Sequence, residues 1–68
     1  MENKTIGEIL IELRLNKGKS RAEVASDLGI SKSAIAMYEL GKRIPKDDVK
    51  IKFAKYYGKS VATIFFAR

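Results

Sequence analysis

Residues 28–45 read Leu-Gly-Ile-Ser-Lys-Ser-Ala-Ile-Ala-Met-Tyr-Glu-Leu-Gly-Lys-Arg-Ile-Pro, LGISKSAIAMYELGKRIP. Gly29 and Gly41 stand on either side of a short run that a helix can occupy. Glycine just past the last periodic residue stops a helix, because it accepts the left-handed turn there at no steric cost. Ser31 offers an N-cap side chain for the run. Within it Ile35 and Tyr38 fall on one face at helical spacing, while Ser33, Ala36 and Met37 fall on another. The run is poor in charge, yet Lys32 opens it and Lys42 and Arg43 follow it.

The segment before Gly29 predicts another short helix. Ser20 and Glu23 have capping-box spacing, in which each side chain satisfies an orphan amide of the other residue. Val24, Ala25 and Leu28 form its inner stripe. Only Gly29, Ile30 and Ser31 separate it from the next helix, and two short helices joined by a Gly-containing turn make a helix-turn-helix. Upstream, Thr5 and Glu8 form a second capping box ahead of Ile6, Ile9, Leu10 and Leu13, and Gly18 closes that helix. Downstream, Pro45 breaks the chain, and Asp47 and Asp48 open a helix whose positive dipole end favours them. Val49, Phe53, Ala54 and Tyr57 form its stripe, with Ile51 a possible addition, and Gly58 stops it. Ser60 caps a last helix carrying Val61, Ile64 and Phe65. No alternating apolar run supports a strand. The expectation is an all-α, single domain over 1–68, with helices at about 6–17, 21–28, 32–40, 47–57 and 61–66.

Composition narrows the function. A chain of 68 residues sits near the lower size limit for independent folding. It has no Cys and no His, which removes disulfides, thiolate or imidazole metal sites and the usual near-neutral pH switch. No apolar run reaches membrane-spanning length and the N-terminus lacks a signal-peptide pattern, so a soluble, cytoplasmic protein is the expectation. The formal net charge is +6, which favours a polyanionic partner. An enzyme is not expected. The carboxylates serve as caps, helix-surface charges or ion-pair partners, and no Gly-rich phosphate loop or nucleophile–base set is present. No metal or cofactor is called for.

The major groove of B-form DNA admits one α-helix. A helix that enters needs small or flexible outward side chains and an anchored inner face. Ser33, Ala36 and Met37 meet the first need, and Ile35 and Tyr38 the second. Lys32 lies at the helix start, where it can donate to guanine O6 or N7 or bind phosphate. Arg21, Lys42 and Arg43 suit backbone contacts, which supply affinity without sequence information. Lys50, Lys52 and Lys55 read as a solvated face.

The string Ala25, Leu28, Gly29, Ile30, Ser31, Ile35, Tyr38, Glu39, Gly41, Lys42, Arg43 and Pro45 resembles the phage-repressor, or Cro-like, helix-turn-helix family of bacterial transcription regulators, a likeness running from about Ile6 to Phe65. The resemblance implies a compact five-helix, lambda-repressor-like DNA-binding domain that binds near-palindromic operators as a homodimer. It implies that Ser31, Lys32, Ser33, Ala36 and Met37 face bases and that Arg21, Lys42 and Arg43 meet phosphate. It also implies a structural salt bridge between Arg14 and Glu39. Departures are Arg21 where many relatives carry Gln, Met37 where a polar reader is common, and Lys19, Lys50 and Lys59 at positions often apolar. Ile11 and Leu15 stand where relatives are usually polar.

These residues also admit plainer readings. Val24, Leu28, Ile35 and Tyr38 belong to a core whatever the function, and capping boxes say nothing of DNA. Met37 suits a base contact, a partner surface or simple exposure. Two dimer or partner surfaces are open. One is the last helix and tail, with Ile64 and Phe66, which the resemblance ranks first; the other is Ile11 with Leu15. The expected function is a double-stranded-DNA-binding transcriptional regulator, most simply a repressor. The alternative is an antitoxin or protein-interaction module on the same scaffold.

Overall fold

The computed structural model describes residues 4–66. Four α-helices come first: α1 (Ile6–Asn16), α2 (Arg21–Leu28), α3 (Lys32–Glu39) and α4 (Asp47–Tyr57). A terminal π-helix, Ala62–Phe66, follows. Among the described residues there is no strand.

Local chemistry sets the helix starts. Thr5 Oγ1 accepts from the Glu8 amide at 3.1 Å, and Glu8 accepts from the Thr5 amide at 2.8 Å. Ser20 and Glu23 repeat the arrangement at the same two distances. Ser31 Oγ accepts from the Ala34 amide at 3.0 Å. α4 has no side-chain cap, and Asp47 and Asp48 in its first turn oppose the dipole instead. α2 ends where Gly29 turns left-handed at φ 71°, and the chain leaves α3 through Gly41 at φ 75°.

The core gathers Leu10 of α1, Val24 and Ala25 of α2, Ile35 and Tyr38 of α3, Phe53 and Ala54 of α4, and Ile64 and Phe65 of the π-helix. Phe53 is its hub. The Tyr38 ring meets it edge-on at 5.9 Å, Tyr57 stacks on it at 6.1 Å and Phe65 tilts against it at 6.3 Å. Edge-on and offset arrangements suit the ring quadrupoles.

Three sequence expectations change here. Ile64 is fully buried, so it belongs to the core and presents no surface to a partner. Ile64 and Phe65 both point inward from the π-helix, as the adjacent pairs Val24–Ala25 and Phe53–Ala54 do from α2 and α4. Phe66 is then carried out to solvent, 62 % exposed. Ile51 is exposed and does not extend the α4 stripe. Ile11 is half-buried, and of that pair only Leu15 stands fully in solvent.

Gly7 supplies a feature that stripe analysis passed over. It is buried inside α1. A Cβ built on it would run into the carbonyl oxygen of Glu39 and lie 3.2 Å from that of Tyr38. α1 therefore crosses the C-terminal end of α3 backbone against backbone.

Candidate nucleic-acid interface

α3 is fixed from behind and open in front. Ile35 and Tyr38 are buried, and Glu39 is the buried charged residue of the set. Lys32, Ser33 and Met37 are exposed and Ala36 half-exposed on the other side. Ser31 sits at the N-cap, where one lone pair serves the Ala34 amide and the hydroxyl hydrogen remains free to donate. Lys42 and Arg43 follow Gly41 on the surface. Among the described residues, Lys32, Lys42 and Arg43 make no ion pair, whereas Lys4, Lys19 and Lys50 are engaged by carboxylates. The structure thus brings Ser31, Lys32, Ser33, Ala36 and Met37 together along one helix and its cap, with unpaired cations at both ends.

Arg14 and Glu39 lie 25 residues apart and meet at 2.8 Å through Arg14 Nε and at 3.2 Å through Nη2. The hydrogen bond to Glu39 pushes the Arg14 guanidinium above its ordinary value. Arg14 Nη1 also donates to the carbonyl of Lys19 at 3.1 Å. Arg21, expected to reach phosphate, donates from Nε to the same carboxylate at 2.9 Å. Glu39 therefore holds two arginines. Pairwise helix reading misses this link, because residues 21 and 39 share no periodicity. Among the described residues, no buried side-chain nitrogen or oxygen lacks a hydrogen-bond partner.

Away from this face several cations are engaged locally, while Lys46, Lys55 and Lys59, like Lys32, Lys42 and Arg43, make no ion pair among the described residues. Lys50 lies over the Phe65 and Phe66 rings at 5.7 and 5.1 Å, its stem covering the edge of the core. Lys52 Nζ donates to the Leu28 carbonyl at 3.3 Å, at the end of α2. Tyr56 donates to Asp27 Oδ2 at 2.6 Å, tying α4 to α2. Burial, then that bond, push the Tyr56 phenol up to about 12. Burial likewise raises Tyr57. The backbone bond to Ser20 holds the Glu23 carboxyl below its usual range. A shallow groove lined by Asp47, Lys50, Ile51, Val61 and Phe66 runs between α4 and the π-helix.

A helix-turn-helix family model matches residues 10–64. The chain is also similar to the cryptic phage CTXphi transcriptional repressor RstR of Vibrio cholerae, with 34 % identity over 53 residues. That match covers 78 % of this chain and 48 % of the repressor, so the chain spans about half the length of the curated relative it matches.

Proposed function

Since the chain belongs to the Cro/C1-like helix-turn-helix family, we propose that it is a sequence-specific, double-stranded-DNA-binding transcriptional regulator, acting as a repressor that occludes a promoter. α3 enters the major groove and a homodimer spans a near-palindromic operator. The observation that carries this reading is the two-sidedness of α3. Its Ile35–Tyr38 face is locked in the core, while Ser33, Ala36 and Met37 stand on the open side, bracketed by Lys32, Lys42 and Arg43, which make no ion pair among the described residues. Lys32 and Met37 read bases, Met37 by contact with a thymine methyl. Lys42, Arg43 and Arg21 grip phosphates.

Selection of bound duplexes from a random library at near-physiological salt tests it. The expected result is a two-fold symmetric site whose half-sites lie about 34 Å apart. Lys32→Ala changes the preferred bases at one position of each half-site. Arg43→Ala weakens all sequences alike and reduces the slope of log K against log salt by about 1. Equal loss on every sequence for Lys32→Ala would remove its base-reading role.

The exposed Leu15 and Phe66 favour a second reading, a protein-interaction module or antitoxin on the same scaffold. A heterocomplex that survives salt high enough to strip DNA from the protein, with no sequence enriched from the library, would favour it over the first.

A further inference from the structure

Resting on the DNA-binding reading, we infer that Glu39 is a positioning residue for phosphate capture: it holds Arg21 by Nε and leaves the far edge of that guanidinium aimed outward at the start of α2. A pair that only fastened α1 to α3 would need Arg14 alone. Arg14 already meets both oxygens of Glu39, gives its remaining nitrogen to the Lys19 carbonyl, and has a side chain just 12 % exposed. Arg21 is different. Its side chain is 35 % exposed and it uses Nε alone, on a carboxylate that is 2 % exposed. Its Nη1 and Nη2 have no hydrogen-bond partner among the described residues, and neither is shut off from solvent.

Two cations share one anion, so the triad carries one uncompensated positive charge. A phosphodiester oxygen pair at the Nη edge of Arg21 makes it neutral. The guanidinium is a rigid fork, so fixing Nε fixes the direction of the other donors. Its side-chain freedom is largely lost before DNA arrives, which lowers the cost of ordering it on binding. Arg21 is also the first residue of α2, and the capping box occupies the amides of Ser20 and Glu23 while leaving those of Arg21 and Ala22 at the helix start. Glu39 thereby serves the fold through one arginine and the ligand through the other.

The test compares the native protein with Arg21→Lys, Arg21→Gln and Glu39→Gln on the duplex enriched from the random library, titrated across salt, with thermal unfolding alongside. Arg21→Lys keeps the charge and loses the fork; it is expected to keep the salt slope and bind about tenfold more weakly. Arg21→Gln is expected to weaken binding further and lower the slope by about 1. Glu39→Gln is expected to weaken binding when Arg21 is present and to add nothing in the Arg21→Gln background. A folded Glu39→Gln protein with native affinity overturns the inference; should Glu39→Gln fail to fold, Glu39→Asp, which keeps the charge and shortens the reach to Arg21, takes its place and is held to the same outcome. Native affinity in Arg21→Lys at every salt overturns the inference, because charge alone would then suffice. So does an Arg21→Gln protein that melts earlier yet binds with unchanged slope, because Arg21 would then belong to the fold only. These results presuppose a native protein that binds the duplex. A native protein that binds none removes the DNA-binding reading itself, and this inference with it.

Discussion

Gly7 and Glu39 show how much one residue decides in a chain this short. The Cβ of Gly7→Ala would meet main-chain atoms of Glu39, which cannot rotate away as a side-chain tip can. Overpacking against backbone costs about 3 kcal/mol, so Gly7→Ala should unfold at distinctly lower urea concentration than the native protein. Tyr56 gives a pH-dependent counterpart. Its phenol is pushed up to about 12 from an ordinary 10.0, so the protonated form is favoured in the folded state. That contribution is fully present below pH 10 and is lost as pH rises toward 12. The melting-temperature gap between native protein and Tyr56→Phe should therefore shrink across pH 10–12; a constant gap would show that the bond to Asp27 does not follow the phenol's charge. Residues of this kind were only partly legible in the sequence. Arg14 with Glu39 followed from family resemblance. Gly7 did not stand out, because a glycine inside an apolar helical pattern looks like a mild propensity defect until the partner backbone is known. Arg21 with Glu39 is a contact between elements, and spacing along one helix carries no trace of it.

At the scale of elements, what could be read was what is local. Thr5 with Glu8, Ser20 with Glu23, and Ser31 all act within four residues, and all three caps are made. The same locality gives a clean measurement at Gly29. It turns at φ 71° with nothing within 4 Å of an added Cβ. Gly29→Ala thus carries only the left-handed backbone cost, about 1 kcal/mol, with no steric clash. Gly29→Asn should recover part of that, since Asn tolerates the region better. An alanine variant as stable as the native protein, by thermal melt, would mean the turn between α2 and α3 relaxes into another form. Less local features were harder to read. The π-helical winding of Ala62–Phe66 left no mark in the sequence. Spacing set Ile64 in the apolar stripe with Val61 and Phe65, and only the family resemblance counted it among dimer-surface residues, where its full burial excludes it. Ile51 lies two residues from both Val49 and Phe53, about 200° around the helix, so it falls outside the α4 stripe and is exposed.

For the whole molecule, only part of the positive charge is engaged within the fold, and Lys46, Lys55 and Lys59 also lack an ion-pair partner among the described residues. Lys50 and Lys52 close local contacts, and Glu39 anchors two arginines, while Lys32, Lys42 and Arg43 remain unpaired among the described residues around α3. The groove holding Ile51, Val61 and Phe66 lies between α4 and the π-helix, on the surface the family resemblance ranks first for a homodimer. Phe66 is exposed, so Phe66→Ser should leave the melting temperature of the isolated chain nearly unchanged while raising the dimer dissociation constant in sedimentation at least tenfold, the equivalent of about 1.4 kcal/mol. A dimer that persists unchanged would move the contact to Leu15. The backbone crossing at Gly7 bears on how such a protein varies. Where two helices are spaced by interleaved side chains, exchanging those side chains resets their separation and tilt. Here carbonyl oxygens of α3 rest on a residue without a side chain, so no substitution elsewhere in the core can act as a shim between them. At that crossing the approach of α3 to α1 is set by main chain, so the residues α3 displays on its open face can change without disturbing it.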